Sequence, residues 1–195
     1  MANTRKRLPK VLTADELNAL RAACPRRSAT GLRNRAMVEA MAGAGLRVSE
    51  VVALRPKDID WTKGTIRVNQ GKGNKDRITF LGAQARKALA AYLMERTDLE
   101  PQAPVWLSER GAALTTWGLG QLLQRLGERA EVEHCHPHTF RRTCALWSLR
   151  AGMSIYHLQN MLGHSDLAVL RRYLAIVEGD VEEAHRKHGP VDNLL

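Results

Sequence analysis

The chain has 195 residues and carries 30 Lys and Arg against 20 Asp and Glu, a formal charge of +10, with a pI near 10.1. That length can bury a sizeable core without staples, and the charge favours a polyanion, nucleic acid first and an anionic membrane surface second. No apolar run approaches the ~20 residues of a membrane span, the N-terminus lacks the apolar stretch of a secretory signal, and Cys24, Cys135 and Cys144 form an odd, unpatterned set suited to a reducing compartment. The composition therefore points to a basic cytoplasmic protein and away from secreted or membrane-spanning classes.

Residues 1–10 hold Arg5, Lys6, Arg7 and Lys10 with no acidic residue, a basic tail that is either solvated or a DNA-contacting arm. Thr13 followed by Glu16 forms a capping box, Leu17, Leu20 and Ala23 repeat at helical spacing, and Pro25 stops that helix. A second helix is predicted over 32–44, with Leu32, Ala36, Met37, Ala40 and Met41 as its buried stripe and with Gly43 and Gly45 as left-handed caps. A third, over 48–54, ends before Pro56 and has Arg47 and Glu50 at its start.

The period then changes. Residues 65–69 and 77–81 alternate apolar and polar around Gly71-Lys-Gly-Asn-Lys-Asp76, which predicts an antiparallel hairpin, and Asp58-Ile-Asp-Trp61 can supply an earlier third strand. Helices are expected over 83–96, 116–130, 137–150, 155–162, 167–173 and 181–187, with a short apolar run at Val105-Trp-Leu107. The fold class is thus α+β, predominantly helical, with a small antiparallel three-stranded sheet.

The chemistry-bearing residues concentrate between His138 and Tyr173. The spacing of His138 and Arg141 puts them on one helical face, and His164 and Tyr173 add a second proton-handling group and a potential nucleophile. Such a set suits a phosphodiester. Arg47, in a Gly-rich turn, is either a surface arginine or a bidentate phosphate clamp. Lys72 sits among glycines that let backbone approach a ligand, with Lys75 as its competitor. No P-loop is present, because a strand and not a helix follows the glycines. His134, Cys135, His136 and His138 crowd together but lack the second ligand pair of a zinc site, so no metal is expected.

Taken jointly, Gly45-Leu-Arg-Val-Ser-Glu50, Gly71-Lys-Gly-Asn-Lys-Asp-Arg77, His138-Thr-Phe-Arg141, Leu162-Gly-His164 and Tyr173 resemble the tyrosine recombinase (phage integrase, Xer-like) family in order, type and spacing, over about Leu8 to His188. The resemblance implies a catalytic domain over 11–178, preceded by the basic tail of 1–10. A C-terminal helix or tail over 179–195 would contact a neighbouring protomer. It implies Arg47 and Arg141 on the scissile phosphate, Lys72 protonating the leaving 5′ oxygen, His138 and His164 in proton transfer and phosphate binding, Tyr173 as nucleophile and Glu50 supporting the site from behind. Arg5, Lys6, Arg7, Lys75 and Arg142 are the expected DNA contacts. Relatives often carry His where this chain has Arg142, and Thr where it has Leu170.

The implied reaction needs no cofactor. The implied partner is double-stranded DNA, with a tetramer assembled on two synapsed duplexes and a monomer when free. The helical core-binding domain that usually precedes the catalytic domain has no counterpart in this sequence, so the chain reads as a catalytic fragment or a minimal recombinase. Two alternatives share the motif set: a type IB topoisomerase-like relaxing enzyme and a DNA-binding regulator with a weak site. The chemical problem is the same for both enzymes. A tyrosine with pKa near 10 is only about one part in a thousand phenolate at pH 7, a deficit of about 4 kcal/mol, which neighbouring cations and a base must offset.

Overall fold

A computed structural model describes residues 10–69, 76–163 and Gly189. Helix α1 (Ala14–Ala22) starts at the capping box, the Thr13 hydroxyl accepting from the Glu16 N–H at 3.1 Å and the Glu16 carboxylate accepting from the Thr13 N–H at 2.7 Å. Its Leu17 and Leu20 are buried. Helix α2 (Ala29–Ala44) begins three residues earlier than expected, because Ser28 caps it by accepting from the Gly31 N–H at 3.1 Å. Gly31 is required there: a Cβ would stand 1.7 Å from the Pro25 carbonyl oxygen.

Burial around α2 is nearly complete and not confined to a stripe. Arg33, Asn34 and Glu39 are buried along with Ala36, Met37, Val38, Ala40 and Met41, and the polar groups are all partnered. Glu39 takes Arg21 at 2.8 Å and Arg35 at 2.9 Å, while Arg33 donates to Asn34 and, at 2.7 Å, to the Leu107 carbonyl. Such pairing is what permits burial of charge. The helix closes at Gly45, whose φ of 61° lies in the left-handed region. Gly43, expected as a second such cap, instead lies inside the helix and is exposed.

Helix α3 (Val48–Ala53) is followed by a 3-10 turn, Pro56–Asp58. Strands β1 (Ile59–Asp60), β2 (Thr65–Val68) and β3 (Arg77–Phe80) then form one antiparallel sheet in the order β1-β2-β3. Ile66 pairs with Thr79 and Val68 with Arg77, so these four side chains share the inner face. Strand β3 therefore runs against the usual rule: Arg77 and Thr79 point inward while Ile78 and Phe80 are exposed. The inner polar groups are satisfied, Thr79 donating to the Ala44 carbonyl at 2.6 Å and Arg77 reaching Glu50.

Helix α4 (Ala83–Met94) lies along α2. Beyond it Trp106 is fully buried and stacks on Tyr92 with centroids 5.8 Å apart. Helices α5 (Thr116–Arg129), α6 (Pro137–Arg150) and α7 (Ile155–Leu162) complete the described part. The helices expected over 167–173 and 181–187 lie outside the described residues. The main core gathers around α2, which touches α1, α4, α6 and β3. A smaller cluster of Cys144, Leu146, Leu149, Leu158, Met161 and Leu162 joins α6 to α7. Among the described residues no helix is long and apolar enough to cross a membrane.

Candidate active site

Arg47 is placed by the break between two helices. Gly45 ends α2 and Arg47 is the N-cap of α3, so its side chain leaves from a bend and not from a helix flank. Glu50, in the first turn of α3, reaches back: one carboxylate oxygen accepts from the Arg47 N–H at 2.7 Å and the other from the Arg47 guanidinium at 2.9 Å. A carboxylate there also suits the positive end of the helix.

The same carboxylate is gripped from the other side by Arg77. Its Nη1 and Nη2 donate to the two Glu50 oxygens at 2.7 Å each, and its Nε donates to the Met161 carbonyl at 2.9 Å. Glu50 and Arg77 retain 10% and 7% of side-chain exposure, Arg47 27%. Burial pushes the Glu50 carboxyl up, but hydrogen bonds from Arg77 and from the Arg47 N–H, with the charge of Arg77, hold it below the ordinary carboxylate range. The group stays ionised.

Arg141 completes the cluster from α6. It is buried, and its Nη1 donates to the Gly45 carbonyl at 2.5 Å while Nη2 donates to the Leu162 carbonyl at 2.6 Å. Both acceptors are helix-terminal carbonyls that intrahelical bonding leaves unpaired. Two guanidiniums, Arg47 and Arg77, contact the one carboxylate, and Arg141 binds the turn that carries Arg47, so positive charge is in excess here.

The expected site residues thus divide. Arg47, Glu50 and Arg141 come together, with Arg141 bonded to the turn that carries Arg47. His138 sits in the first turn of α6, one turn before Arg141, and is exposed, as is Arg142. Lys72, Lys75, His164, Tyr173 and the tail residues Arg5, Lys6 and Arg7 lie outside the described residues. The described chain nevertheless leads to two of these stretches from this cluster. The last pair of the β2–β3 ladder is Val68 with Arg77, and Gly163 follows Leu162 directly.

Arg77 is a member of the cluster that residue-by-residue reading missed. The available signal was its place as the final residue of the Gly71–Arg77 motif, at the root of the hairpin. In the His134–His138 group Cys135 is buried, its thiol pushed up to about 12 by desolvation, whereas His138 is exposed. Among the described residues no group of three or more His, Cys, Asp or Glu could hold a metal ion.

The sequence matches the Phage integrase family over residues 10–178. It is 35% identical over 189 residues to the tyrosine recombinase XerD of Ralstonia nicotianae, covering 94% of this chain and 61% of that protein. It is 36% identical over 200 residues to the tyrosine recombinase XerC of Oceanobacillus iheyensis, covering 99% of this chain and 65% of that one. The chain therefore spans a little under two thirds of the length of these relatives. Among solved structures, that of XerA recombinase superposes with a TM-score of 0.77 at 29% identity, over 96% of this chain and 68% of the other. The helical fold with its small antiparallel sheet is the fold of these proteins.

Proposed function

This chain belongs to the phage integrase family, and we propose that it is a site-specific tyrosine recombinase that cuts and rejoins double-stranded DNA with neither a metal nor ATP. The observation that supports this most directly is the pair of bonds made by Arg141. One acceptor, Gly45, is two residues before Arg47, and the other, Leu162, is two residues before His164. A single buried guanidinium thus ties the end of α2 to the end of α7, the two points in the chain from which Arg47 and His164 follow.

In the proposed reaction Arg47 and Arg141 bind the non-bridging oxygens of the scissile phosphate. The Tyr173 hydroxyl attacks phosphorus and gives up its proton to a histidine of the site, His138 or His164. The bond from phosphorus to the 5′ oxygen breaks as Lys72 protonates that oxygen. The enzyme then holds a 3′-phosphotyrosine, and the 5′-hydroxyl of a partner strand reverses the steps, so bond energy is conserved and no nucleotide is consumed. The transition state gains negative charge, which preorganised guanidiniums stabilise without reorganising during reaction. Glu50 serves as the fixed counter-charge that aims Arg47, so the arginine meets the phosphate in one orientation.

Residues 11–178 form the catalytic unit of this reading. Arg5, Lys6, Arg7, Lys75 and Arg142 contribute to DNA binding, and four copies assemble on two duplexes with 179–195 contacting a neighbour. The charge of +10 supports a DNA partner. A DNA substrate that loses its cleaved end traps the covalent intermediate: the native chain should accumulate it, and Tyr173→Phe should not. Equal trapping by Tyr173→Phe removes Tyr173 as nucleophile. Relaxation of supercoils without recombinant products would favour the topoisomerase-like reading, and DNA binding without a covalent complex would favour the regulator.

A further inference from the structure

We propose that Arg77 is a positioning residue of this centre: from the root of the hairpin it fixes Glu50, and through it Arg47, and fixes the end of α7 from which His164 follows. The inference rests on the recombinase reading and extends it to a residue outside the set that touches phosphate.

Three observations carry it. First, Arg77 makes three bonds in two directions, two to Glu50 on α3 and one to the Met161 carbonyl on α7. Its guanidinium plane is therefore fully determined. A lysine ammonium could reach either acceptor but could not present the parallel fork that orients a carboxylate. Second, the Glu50 oxygens bound by Arg77 are the ones that bind the Arg47 guanidinium and N–H. Rotation of the carboxylate would carry Arg47 with it. Third, Arg77 and Arg141 hold consecutive carbonyls, Met161 and Leu162, at the terminus of α7, so the exit toward His164 is clamped twice.

Stability alone does not account for the arrangement. A buried ion pair adds little net stability over apolar packing, and here it turns the inner face of β3 polar. The Arg21–Glu39–Arg35 group supplies the comparison, an ion cluster around a comparably buried carboxylate, with more exposed arginines, that includes none of the proposed site residues.

The test compares Arg77→Met, Arg77→Lys and Arg35→Met with the native chain, at a temperature where all are folded. Single-turnover cleavage is followed at saturating DNA across the acid side of neutrality. Arg77→Met should lower the cleavage rate about 10- to 100-fold, the scale of a small misplacement at a reacting centre, with DNA affinity little changed. Its acid limb should move to higher pH, because Glu50 remains buried with its strongest counter-charge gone. Arg77→Lys should restore part of the rate, and Arg35→Met should keep the native rate and profile. Matching rates and limbs for Arg77→Met and Arg35→Met would overturn the proposal. If the native chain forms no covalent complex, the recombinase reading fails, and Arg77 is judged by NMR. The Arg47 side-chain N–H resonance and the Glu50 carboxyl titration should then shift in Arg77→Met and not in Arg35→Met, and no shift in either overturns it.

Discussion

Gly45 and Leu162 meet so closely that a Cβ on the glycine would stand 2.4 Å from a Leu162 methyl and 3.2 Å from the Cys144 sulfur. This contact brings the end of α2 against the end of α7, the two termini whose carbonyls Arg141 binds. Gly45→Ala faces both that overlap and the left-handed backbone at φ 61°. We expect a loss of about 2–4 kcal/mol in urea unfolding, from αL strain of ~1 kcal/mol and overpacking of ~1–3 kcal/mol. Gly43→Ala, in the exposed last turn of α2 with nothing within 4 Å of the new methyl, should instead stabilise by about 0.5–1 kcal/mol. Equal effects at the two glycines would contradict the geometry.

The two arginines proposed for the phosphate should separate on stability while agreeing on activity. Removal of either donor is expected to slow cleavage by about 10²–10³. Arg141→Ala strands two buried carbonyls, at ~1–3 kcal/mol for each group left unmet, and should lower stability by a comparable amount. Arg47→Ala removes a partly buried ion pair but leaves Glu50 its two bonds from Arg77, so it should cost only about 1 kcal/mol. Urea curves and single-turnover rates on the same preparations distinguish the two: an Arg141→Ala chain as stable as Arg47→Ala would mean that the Gly45 and Leu162 bonds carry little.

Much of this fold is legible from local pattern. The Thr13–Glu16 box, the bounds of α6 and α7 and the β2–β3 pairing follow from caps, spacing and alternation, because each depends on residues a few positions apart. What is hidden has a common cause. Alternation assigns Arg77, Thr79 and Arg67, Ile78, Phe80 to opposite faces of the strands, but which face turns inward depends on Glu50, 27 positions away from Arg77, and on Ala44, 35 away from Thr79. Burial of α2 on all sides depends likewise on Arg21 and Leu107 meeting its charged residues from distant segments. In the site, Arg47, Glu50 and Arg141 were visible as a motif set, whereas Arg77 looked like the polar start of a strand.

The Glu50 carboxyl gives the acid side of stability a definite sign. Its folded pKa is held below the ordinary value of 4.5 despite burial, through Arg77 and Arg47. A depressed carboxylate contributes its stabilisation fully above the unfolded pKa and loses it as pH falls through the folded one. Glu50→Gln should therefore cost about 3–5 kcal/mol near neutrality, since it leaves Arg77 buried without its counter-charge. The gap between native chain and variant should close below pH 4.5. Urea midpoints at neutral and acid pH measure it; a gap independent of pH would show that the charge of Glu50 contributes nothing.

Alkaline conditions should act through the cysteines, with the opposite slope. All three are free and buried, and desolvation pushes Cys24 to about 11, Cys135 to about 12 and Cys144 to about 11, from an ordinary 9.0. The folded state therefore holds these protons more tightly than the unfolded state. Their contribution is complete below pH 9 and declines as pH rises toward 11–12. As thiols shielded from solvent they are also poor nucleophiles. An alkylating reagent at mildly alkaline pH should label no cysteine until urea opens the chain, and all three should then react together. Labelling of Cys135 at the unfolded rate in the native protein would mean that the packing of α5 against the segment before α6 opens readily.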